Sequence, residues 1–207
     1  MKAIVAVDKR LAIGRAGDLL YRIPSDMKHF RRETLGRTCI MGRKTLESMP
    51  KGQPLPGRNT IVLSRSLPEG VFWEKDGFIA VAVGSREAVF RAVAEFALPE
   101  TVVCGGEQIY RLFLADCDEL IVTEVDDEAE GADAFFPDFQ GEFELREETE
   151  PVEEDGVRFK ISRYQRKTDA AEPADGCSAD KAWQPEDQRE GGCGTGRSDP
   201  RAEGEPR

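Results

Sequence analysis

Short apolar runs recur along most of the chain, and each is followed by a glycine or a polar turn. Runs of four to seven residues that are apolar almost throughout are typical of strands buried on both faces of a sheet. They predict strands over residues 3–7, 38–41, 59–63, 78–83, 101–104 and 119–125. The segments between them predict helices over 24–35, from 42–45 onward, over 85–96 with Ser85 as N-cap, and over 107–114. This alternation predicts an α/β fold: a doubly wound, mostly parallel sheet with helices on both faces.

The end of this region has a different pattern. Residues 143–148 and 157–165 flank the turn 154–156, and apolar and polar residues alternate along the second of these two segments. Alternation of this kind is typical of a strand with one buried face. The pattern therefore predicts a C-terminal antiparallel hairpin with one face against the core.

Composition changes abruptly near Lys167. Residues 168–207 contain ten Asp and Glu, five Lys and Arg, many Gly and Pro, and almost no large apolar side chain apart from Trp183. Such a segment buries too little apolar surface to offset the entropy lost on ordering, so we predict a disordered acidic tail behind a folded domain of residues 1–167. An inert extension is the favoured interpretation, and a partner-binding tail anchored by Trp183 is the alternative.

The overall charge and the rare residues exclude several classes of protein. A net charge of −11 argues against general binding to nucleic acid or anionic membranes, and no apolar run approaches the roughly 18 residues that a membrane span needs. The N-terminal apolar run is too short for a signal peptide. The five cysteines have no metal-binding spacing, which indicates free thiols in a reducing cytoplasm and no metal site. The single histidine, His29, is expected on a helix surface.

The segment 19–30 places one carboxylate, Asp26, among large apolar residues. If a helix begins at Pro24, Asp26 and Phe30 lie on the same helical face. A first-turn carboxylate can simply complement the helix dipole, and Pro24 suits that interpretation. Otherwise, a carboxylate on an apolar surface is unfavourable unless a partner pairs with it. The alternative interpretation is therefore that Asp26 binds a cationic, hydrogen-bonding ligand.

Three of the predicted strands are followed by groups that favour phosphate binding. Gly42-Arg43-Lys44-Thr45 puts two cations and a hydroxyl at a helix start, Ser64-Arg65 follows the next strand, and Gly105-Gly106 opens a third helix. Ligands of open α/β sheets bind at the carboxyl ends of the strands, and helix N-termini favour anions. Each signal is weak alone, but together they predict a dinucleotide, and the basic residues where a ribose 2′-hydroxyl would be held favour NADPH over NADH.

With these residues in place, the chain resembles the dihydrofolate reductase family over about residues 1–166. The resemblance is carried, in family order, by segments 4–8, 13–14, 23–26, 40–45, 54–58, 63–65 and 104–106, with Phe30, Ser48, Ile109, Tyr110 and Thr123. It implies NADPH-dependent reduction of 7,8-dihydrofolate to tetrahydrofolate by hydride transfer to the pterin ring, by a monomer in the cytoplasm.

The resemblance assigns catalytic roles to Asp26, which would hold the pterin 2-amino group and the adjacent ring nitrogen, and to Tyr21. Burial is expected to raise the pKa of Asp26, and the helix N-terminus is expected to oppose that rise. Thr123 would hydrogen-bond Asp26, and Arg58 would hold the α-carboxylate of the substrate glutamate. The implied substrate-binding residues are Ile4, Val5, Met27, Phe30, Met49, Leu55, Arg58 and Thr123.

The resemblance also implies a set of cofactor-binding residues and a cis peptide between Gly105 and Gly106. Ala6, Ile13, Gly105 and Tyr110 would surround the nicotinamide. The full set is Ala6, Ile13, Gly14, Leu19, Gly42, Arg43, Lys44, Thr45, Ser48, Leu63, Ser64, Arg65, Cys104, Gly105, Gly106, Glu107, Gln108, Ile109 and Tyr110. The loop 14–20 would be a mobile lid.

Two departures from the family pattern lie in and near the site. The usual Pro-Trp of the lid is Leu20-Tyr21, so the Tyr21 hydroxyl would have to anchor the ordered water that the Trp indole normally holds. A Trp found after Thr45 in many relatives is Leu46, which is expected to affect packing only. The alternatives are a same-fold reductase acting on a riboflavin-pathway pyrimidine, against which Asp26 and Arg58 together argue, and a non-catalytic NADPH- or folate-binding protein.

Overall fold

The computed structural model describes residues 1–168. Its helices are α1 (Pro24–Thr34), α2 (Arg43–Ser48), α3 (Arg86–Glu95) and α4 (Glu107–Phe113). Its strands are β1 (Lys2–Val7), β2 (Ala12–Arg15), β3 (Asp18–Leu19), β4 (Thr38–Gly42), β5 (Asn59–Leu63), β6 (Gly70–Lys75), β7 (Phe78–Val83), β8 (Thr101–Gly105), β9 (Glu119–Val125), β10 (Ala134–Phe135), β11 (Phe143–Glu148), β12 (Val152–Glu154) and β13 (Val157–Arg166).

One large twisted sheet organises the fold, with strand order β11-β13-β9-β1-β8-β4-β5-β7-β6 and β12 paired to β13. The six strands from β9 to β7 run parallel, whereas β13 and β6 are antiparallel additions at the two sides. The parallel strands end together at one side of the sheet, so the loops that follow them are neighbours. The predicted α/β architecture is confirmed.

Both faces of the parallel region are buried, which explains why its strands are apolar throughout. On one face, Ile4, Met41 and Ile121 pack against Leu46 of α2 and Phe30 of α1. On the other face, the alternating strand residues Val5, Ile40, Leu120 and Val122 pack in one cluster with Val89 of α3 and Phe113 of α4. Because successive side chains of a strand point to opposite faces, β1, β4, β5, β8 and β9 each contribute to both clusters.

The helix boundaries follow the local signals. Pro24 occupies the first turn of α1, and the chain leaves that helix through Leu35 and Gly36, whose φ is +74°. The Ser85 hydroxyl accepts a hydrogen bond from the Ala88 N–H at 3.2 Å, so the predicted N-cap of α3 is confirmed.

Strand β6 and a small sheet, β10-β2-β3, were not predicted. Strand β6 pairs only with β7 and is largely exposed on both faces, so its sequence carries no alternation of buried and exposed positions. Strands β3 and β10 have two residues each, too few to establish a period. These strands form because each pairs with a neighbouring strand, and the local sequence does not indicate that neighbour.

The predicted antiparallel pairing of residues 143–148 with the last strand is confirmed, but two details of the predicted hairpin need correction. The turn at Asp155-Gly156 joins β12 to β13, while β11 pairs with the distal part of β13, where Phe143 lies opposite Arg166. The expectation of one buried face is also wrong, because Phe159 and Ser162, which lie on opposite faces of β13, are both buried. The cause is that β13 is an interior strand, between β9 on one side and β11 and β12 on the other.

Within residues 1–168, Cys39, Cys104 and Cys117 are buried free thiols, and no helix is long and apolar enough to cross a membrane. The predicted acidic tail lies outside the described residues from position 169 onward.

Candidate active site at the carboxyl ends of the strands

Asp26 is buried between α1 and the central sheet. It lies in the first turn of α1 and is 9% exposed, and its Oδ1 accepts a hydrogen bond from the Thr123 hydroxyl of β9 at 2.6 Å. Burial raises the pKa of Asp26, while the Thr123 hydrogen bond and the nearby His29 act in the opposite direction. The expected effect of burial on the pKa and the predicted Asp26–Thr123 contact are therefore both present in the structure.

The apolar residues predicted around Asp26 are only partly brought together. Ile4, Phe30 and Met49 belong to the cluster on the α1 face of the sheet. Val5 joins the cluster on the opposite face, since it alternates with Ile4 along β1. The remaining two differ in exposure: Met27 is 41% exposed, whereas Leu55 is half-buried.

Arg58 is a buried guanidinium, 4% exposed, on the loop before β5. Its Nε donates to the Thr34 hydroxyl at 2.7 Å and its Nη1 donates to the Pro56 carbonyl at 2.8 Å. The guanidinium carbon lies 6.0 Å from the centre of the Phe30 ring. Burial lowers the pKa of Arg58, but a guanidinium stays protonated. Arg58 forms no ion pair within residues 1–168, so its charge is available to an anionic ligand.

Thr34 is a positioning residue that sequence reasoning missed. Its buried hydroxyl accepts from Arg58 and donates to the Phe30 carbonyl at 2.7 Å, which fixes Arg58 against the end of α1. The partners are 24 positions apart, and a helix-terminal threonine carries no local signal of such a contact. Asp26 and Phe30 share one face of α1 and Arg58 lies over the Phe30 ring, and this row of three residues, the slot, places a carboxylate before the ring and a guanidinium beyond it.

The predicted phosphate-binding segments are neighbours in space. Strands β5, β4 and β8 are adjacent, with Gly42 opposite Leu63 and Met41 opposite Gly105. Gly42 and Gly106 are the N-caps of α2 and α4, and neither helix start is capped by a side chain. A Cβ on Gly106 would lie 3.3 Å from the Thr45 hydroxyl, so the two helix starts face a common space.

Gly105 is required by its surroundings. Its φ is +96°, and a Cβ at this position would come within 2.6 Å of the Tyr110 ring. Tyr110 in turn donates a hydrogen bond to the Ile4 carbonyl at 2.7 Å, which ties α4 to β1. The Gly105–Gly106 peptide is cis, as the resemblance implies.

The polar groups at this edge differ in how far they are already engaged. Arg43 pairs with Glu47 at 2.5 Å, and Glu107 pairs with Arg111 at 3.0 Å. Ser64 accepts hydrogen bonds from two backbone N–H groups of the following turn. Lys44 and Arg65 are exposed and form no ion pair in the part of the chain that the structure describes. The other predicted cofactor residues nearby are buried (Cys104, Ile109), half-buried (Leu63) or exposed (Ser48, Gln108).

The predicted lid begins as the hairpin of β2 and β3. Gly14 pairs with Leu19, which is 50% exposed, Ile13 is half-buried on the same hairpin, and Ala6 is half-buried on β1. The Tyr21 hydroxyl donates to Asp127 at 3.1 Å rather than contacting Asp26. Burial and Asp127 raise the pKa of Tyr21 to about 12. The predicted water-anchoring role of Tyr21 stays a prediction, and Asp127 is a contact that the sequence did not indicate.

The expectation that His29 lies on the surface is wrong, because it is only 6% exposed. It follows Asp26 by one helical turn, and the Arg32 guanidinium contacts its Nδ1 at 2.7 Å. Burial lowers the pKa of His29, and the nearby Glu33 opposes this change. The terminal strands cover this side of α1, and the helix sequence alone does not reveal them.

Comparison with known proteins agrees with this arrangement. A family model described as dihydrofolate reductase matches residues 1–166. The dihydrofolate reductase of Haemophilus influenzae is 38% identical over 141 residues, covering 67% of this chain and 79% of that protein. The dihydrofolate reductase of Mycobacterium tuberculosis is 38% identical over 157 residues, covering 74% of this chain and 90% of that protein. Dihydrofolate reductase HdrB of Haloferax volcanii is 36% identical over 174 residues, covering 81% of this chain and 84% of that protein. A chain with this fold, this site and these relatives belongs to the dihydrofolate reductase family.

Proposed function

We propose that this chain reduces 7,8-dihydrofolate to 5,6,7,8-tetrahydrofolate with NADPH, using Asp26 as the polar group that binds the pterin. Membership of the family makes it an oxidoreductase that uses a nicotinamide cofactor. The observation that carries the residue assignment is the buried Asp26 carboxyl, held by Thr123 beside the apolar residues Ile4 and Phe30.

Asp26 would bind the pterin edge that carries the 2-amino group and the adjacent ring nitrogen. Two parallel hydrogen bonds from such an amidine-like edge match the two oxygens of a carboxylate. The Thr123 hydroxyl orients one of those oxygens. Because the site is buried, the negative charge acts through a medium of low polarity and favours a proton on nitrogen-5, which prepares carbon-6 to accept hydride.

Arg58 and the apolar residues would orient the rest of the substrate. The guanidinium of Arg58 is already held by Thr34 and Pro56, so little freedom remains to be lost when it binds a carboxylate. Phe30, beneath the guanidinium, offers its ring to the benzoyl group and excludes water from the slot.

The cofactor supplies the hydride when it is bound. The two uncapped helix starts at Gly42 and Gly106 and the close approach of Thr45 to Gly106 suit a pyrophosphate. The exposed cations Lys44 and Arg65 lie where they can hold a 2′-phosphate, which supports NADPH over NADH. Arg43 can join them once its pair with Glu47 opens.

The test is NADPH oxidation by the purified full chain, with and without 7,8-dihydrofolate, and the same assay with NADH. We expect oxidation that requires dihydrofolate and is much slower with NADH. Oxidation with a riboflavin-pathway aminopyrimidine but not with dihydrofolate would assign the sister activity. Tight NADPH binding with no turnover would assign a binding protein and overturn the proposal.

The proposed setting is a monomer in a reducing cytoplasm, without nucleic acid or membrane partners. The net charge of −11 and the buried thiols of Cys39, Cys104 and Cys117 support it.

A further inference from the structure

A cleft of about 410 Å³ lies at the side of the sheet where β1, β9 and β13 meet. None of the residues that line it belongs to the substrate, cofactor or catalytic sets given above. Its volume is within the range of about 300–1,000 Å³ typical of small-molecule sites.

The cleft opens on the face of the sheet opposite to Asp26. Its floor includes Val7 and Val122, which belong to the cluster on the α3 and α4 face. Val122 and Glu124 both line the cleft, and they flank Thr123, whose side chain points to the other face, toward Asp26. A ligand in this cleft would therefore occupy space separate from the Asp26 slot.

The floor of the cleft is apolar and partly aromatic. Leu11, Phe139 and Tyr164 pack against the same cluster as Val7 and Val122. The rings of Phe139 and Tyr164 meet edge to face, with centroids 5.0 Å apart. Val7, Val122 and Phe139 are buried, so the accessible apolar surface comes from the half-buried Leu11 and Tyr164, and the Tyr164 ring can add a stacked or edge-to-face contact to a ligand ring.

Six charged side chains line the cleft, and four of them form ion pairs among residues 1–168, whereas Asp8 and Arg158 do not. Lys9 pairs with Asp126 at 2.6 Å and Lys160 pairs with Glu124 at 3.6 Å. The buried Asp8 carboxylate accepts hydrogen bonds from three backbone N–H groups, of Arg10 and Ala12 at 2.8 Å and of Ala129 at 3.0 Å.

Arg158 is the one cation in the lining of the cleft that has no ion pair among residues 1–168. It is also exposed. A guanidinium beside an apolar floor recognises a carboxylate through two parallel hydrogen bonds.

We propose that this cleft binds a small aromatic monocarboxylate, with its ring against Leu11 and Tyr164 and its carboxylate on Arg158. This site is independent of the proposed reductase activity, since it shares no residue with the slot or the cofactor edge.

The experiment is an NMR titration of the ¹⁵N-labelled full chain, with the Asp26 slot saturated by folate. The two probes are 2-naphthoate and its neutral counterpart 2-naphthamide. We expect saturable shifts of the backbone amides around Val122, Glu124 and Arg158. The acid should bind about tenfold more tightly than the amide, because only the carboxylate can accept two parallel charge-assisted hydrogen bonds from the guanidinium.

Two variants separate the role of Arg158 from a general effect of charge. Arg158→Gln should weaken naphthoate about tenfold, to the affinity of naphthamide, and leave naphthamide unchanged. Arg146→Gln is the matched control, since Arg146 is also an exposed arginine of the terminal strands but pairs with Glu144 and does not line the cleft. It should leave both affinities unchanged, and thermal unfolding should show that both variants remain folded.

Three results would overturn the proposal. They are no saturable shift up to about 10 mM probe, equal affinity for the acid and the amide, and an Arg158→Gln variant that binds naphthoate like the original chain. A chain that fails to bind folate would refute the substrate assignment, whereas the cleft titration would still decide this site.

Discussion

At the scale of single residues, the site is defined by how each polar group is held. Asp26 is kept by Thr123, and Arg58 by Thr34 and Pro56, so both charged groups reach the slot already oriented. The protein thus bears the unfavourable burial of two charges before any ligand arrives. Buried charges of this kind are expected where they act on a ligand.

Replacing Asp26 by asparagine should lower turnover on the order of 10²- to 10⁴-fold at pH 7, because the charge that favours a proton on the pterin is lost. Activity should recover in part at low pH, where the substrate takes up a proton from solvent. The measurement is the rate of hydride transfer against pH for both proteins. A variant with a near-normal rate at pH 7 would remove Asp26 from the mechanism.

Thr123→Val should raise the pKa of Asp26 further, because the Thr123 hydrogen bond stabilises the carboxylate form. The corresponding limb of the pH profile of kcat/KM should move to higher pH. Thr60→Val is the matched control: Thr60 is a buried strand threonine whose hydroxyl has no partner among the described residues. That control should leave the profile in place, and an equal movement in both variants would mean that Thr123 does not tune Asp26.

Arg58→Lys should raise KM for dihydrofolate by about tenfold or more and change kcat less, since an ammonium cannot make the paired hydrogen bonds of a guanidinium. A dihydropterin that lacks the glutamyl group is the control substrate, and its KM should be the same for both proteins. If the variant impaired both substrates equally, Arg58 would be serving the structure of the loop rather than binding the glutamyl carboxylate.

At the scale of elements, the site depends on adjacent strand ends more than on any one loop. Strands β5, β4 and β8 bring Leu63, Gly42 and Gly105 side by side, and the helices that follow bring their N-termini with them. Tyr110 then fastens α4 to β1 through the Ile4 carbonyl. The space left for a cofactor is thus set by packing between elements.

Gly105→Ala tests that packing. The new methyl group would meet the Tyr110 ring, so we expect a loss of unfolding free energy of about 3 kcal/mol or more. NADPH binding should be lost with it.

Gly156→Ala is the matched control for this change. Gly156 also has a positive φ, +76°, but a Cβ there meets nothing within 4 Å. Its loss should be about 1 kcal/mol, from backbone strain alone. Denaturant unfolding of the two variants gives the comparison, and similar losses would show that contact with Tyr110 does not restrict position 105.

At the scale of the whole molecule, every predicted site residue lies within the 166 residues that match the family model. The slot uses α1 and the loop before β5, with Thr123 of β9 holding Asp26, and the cofactor edge uses β5, β4 and β8, so both draw on the same parallel core. The terminal strands β11 to β13 cover the side of α1 that carries His29.

Removal of residues 169–207 should therefore leave kcat and KM within about twofold of the full chain, because no residue of either site is deleted. The assay is dihydrofolate-dependent NADPH oxidation by both lengths of chain, with thermal unfolding as the check on folding. A large loss of activity with unchanged unfolding would show that the C-terminal segment contributes to the site.

The sequence by itself determined the fold class and the order of the site residues along the chain. Both depend on local signals: apolar runs buried on two faces, glycines at strand ends and a proline at the start of α1. The resemblance to a family then placed Thr123 with Asp26, although 97 positions separate them.

Only the tertiary structure decided which groups meet outside that pattern. Tyr21 bonds to Asp127, Val5 faces away from Asp26, and His29 and Ser162 are buried. Each outcome depends on a distant element that packs over the residue, and local periodicity carries no information about that element. The cleft beside Arg158 has the same origin, because it exists only where three separate strands come together.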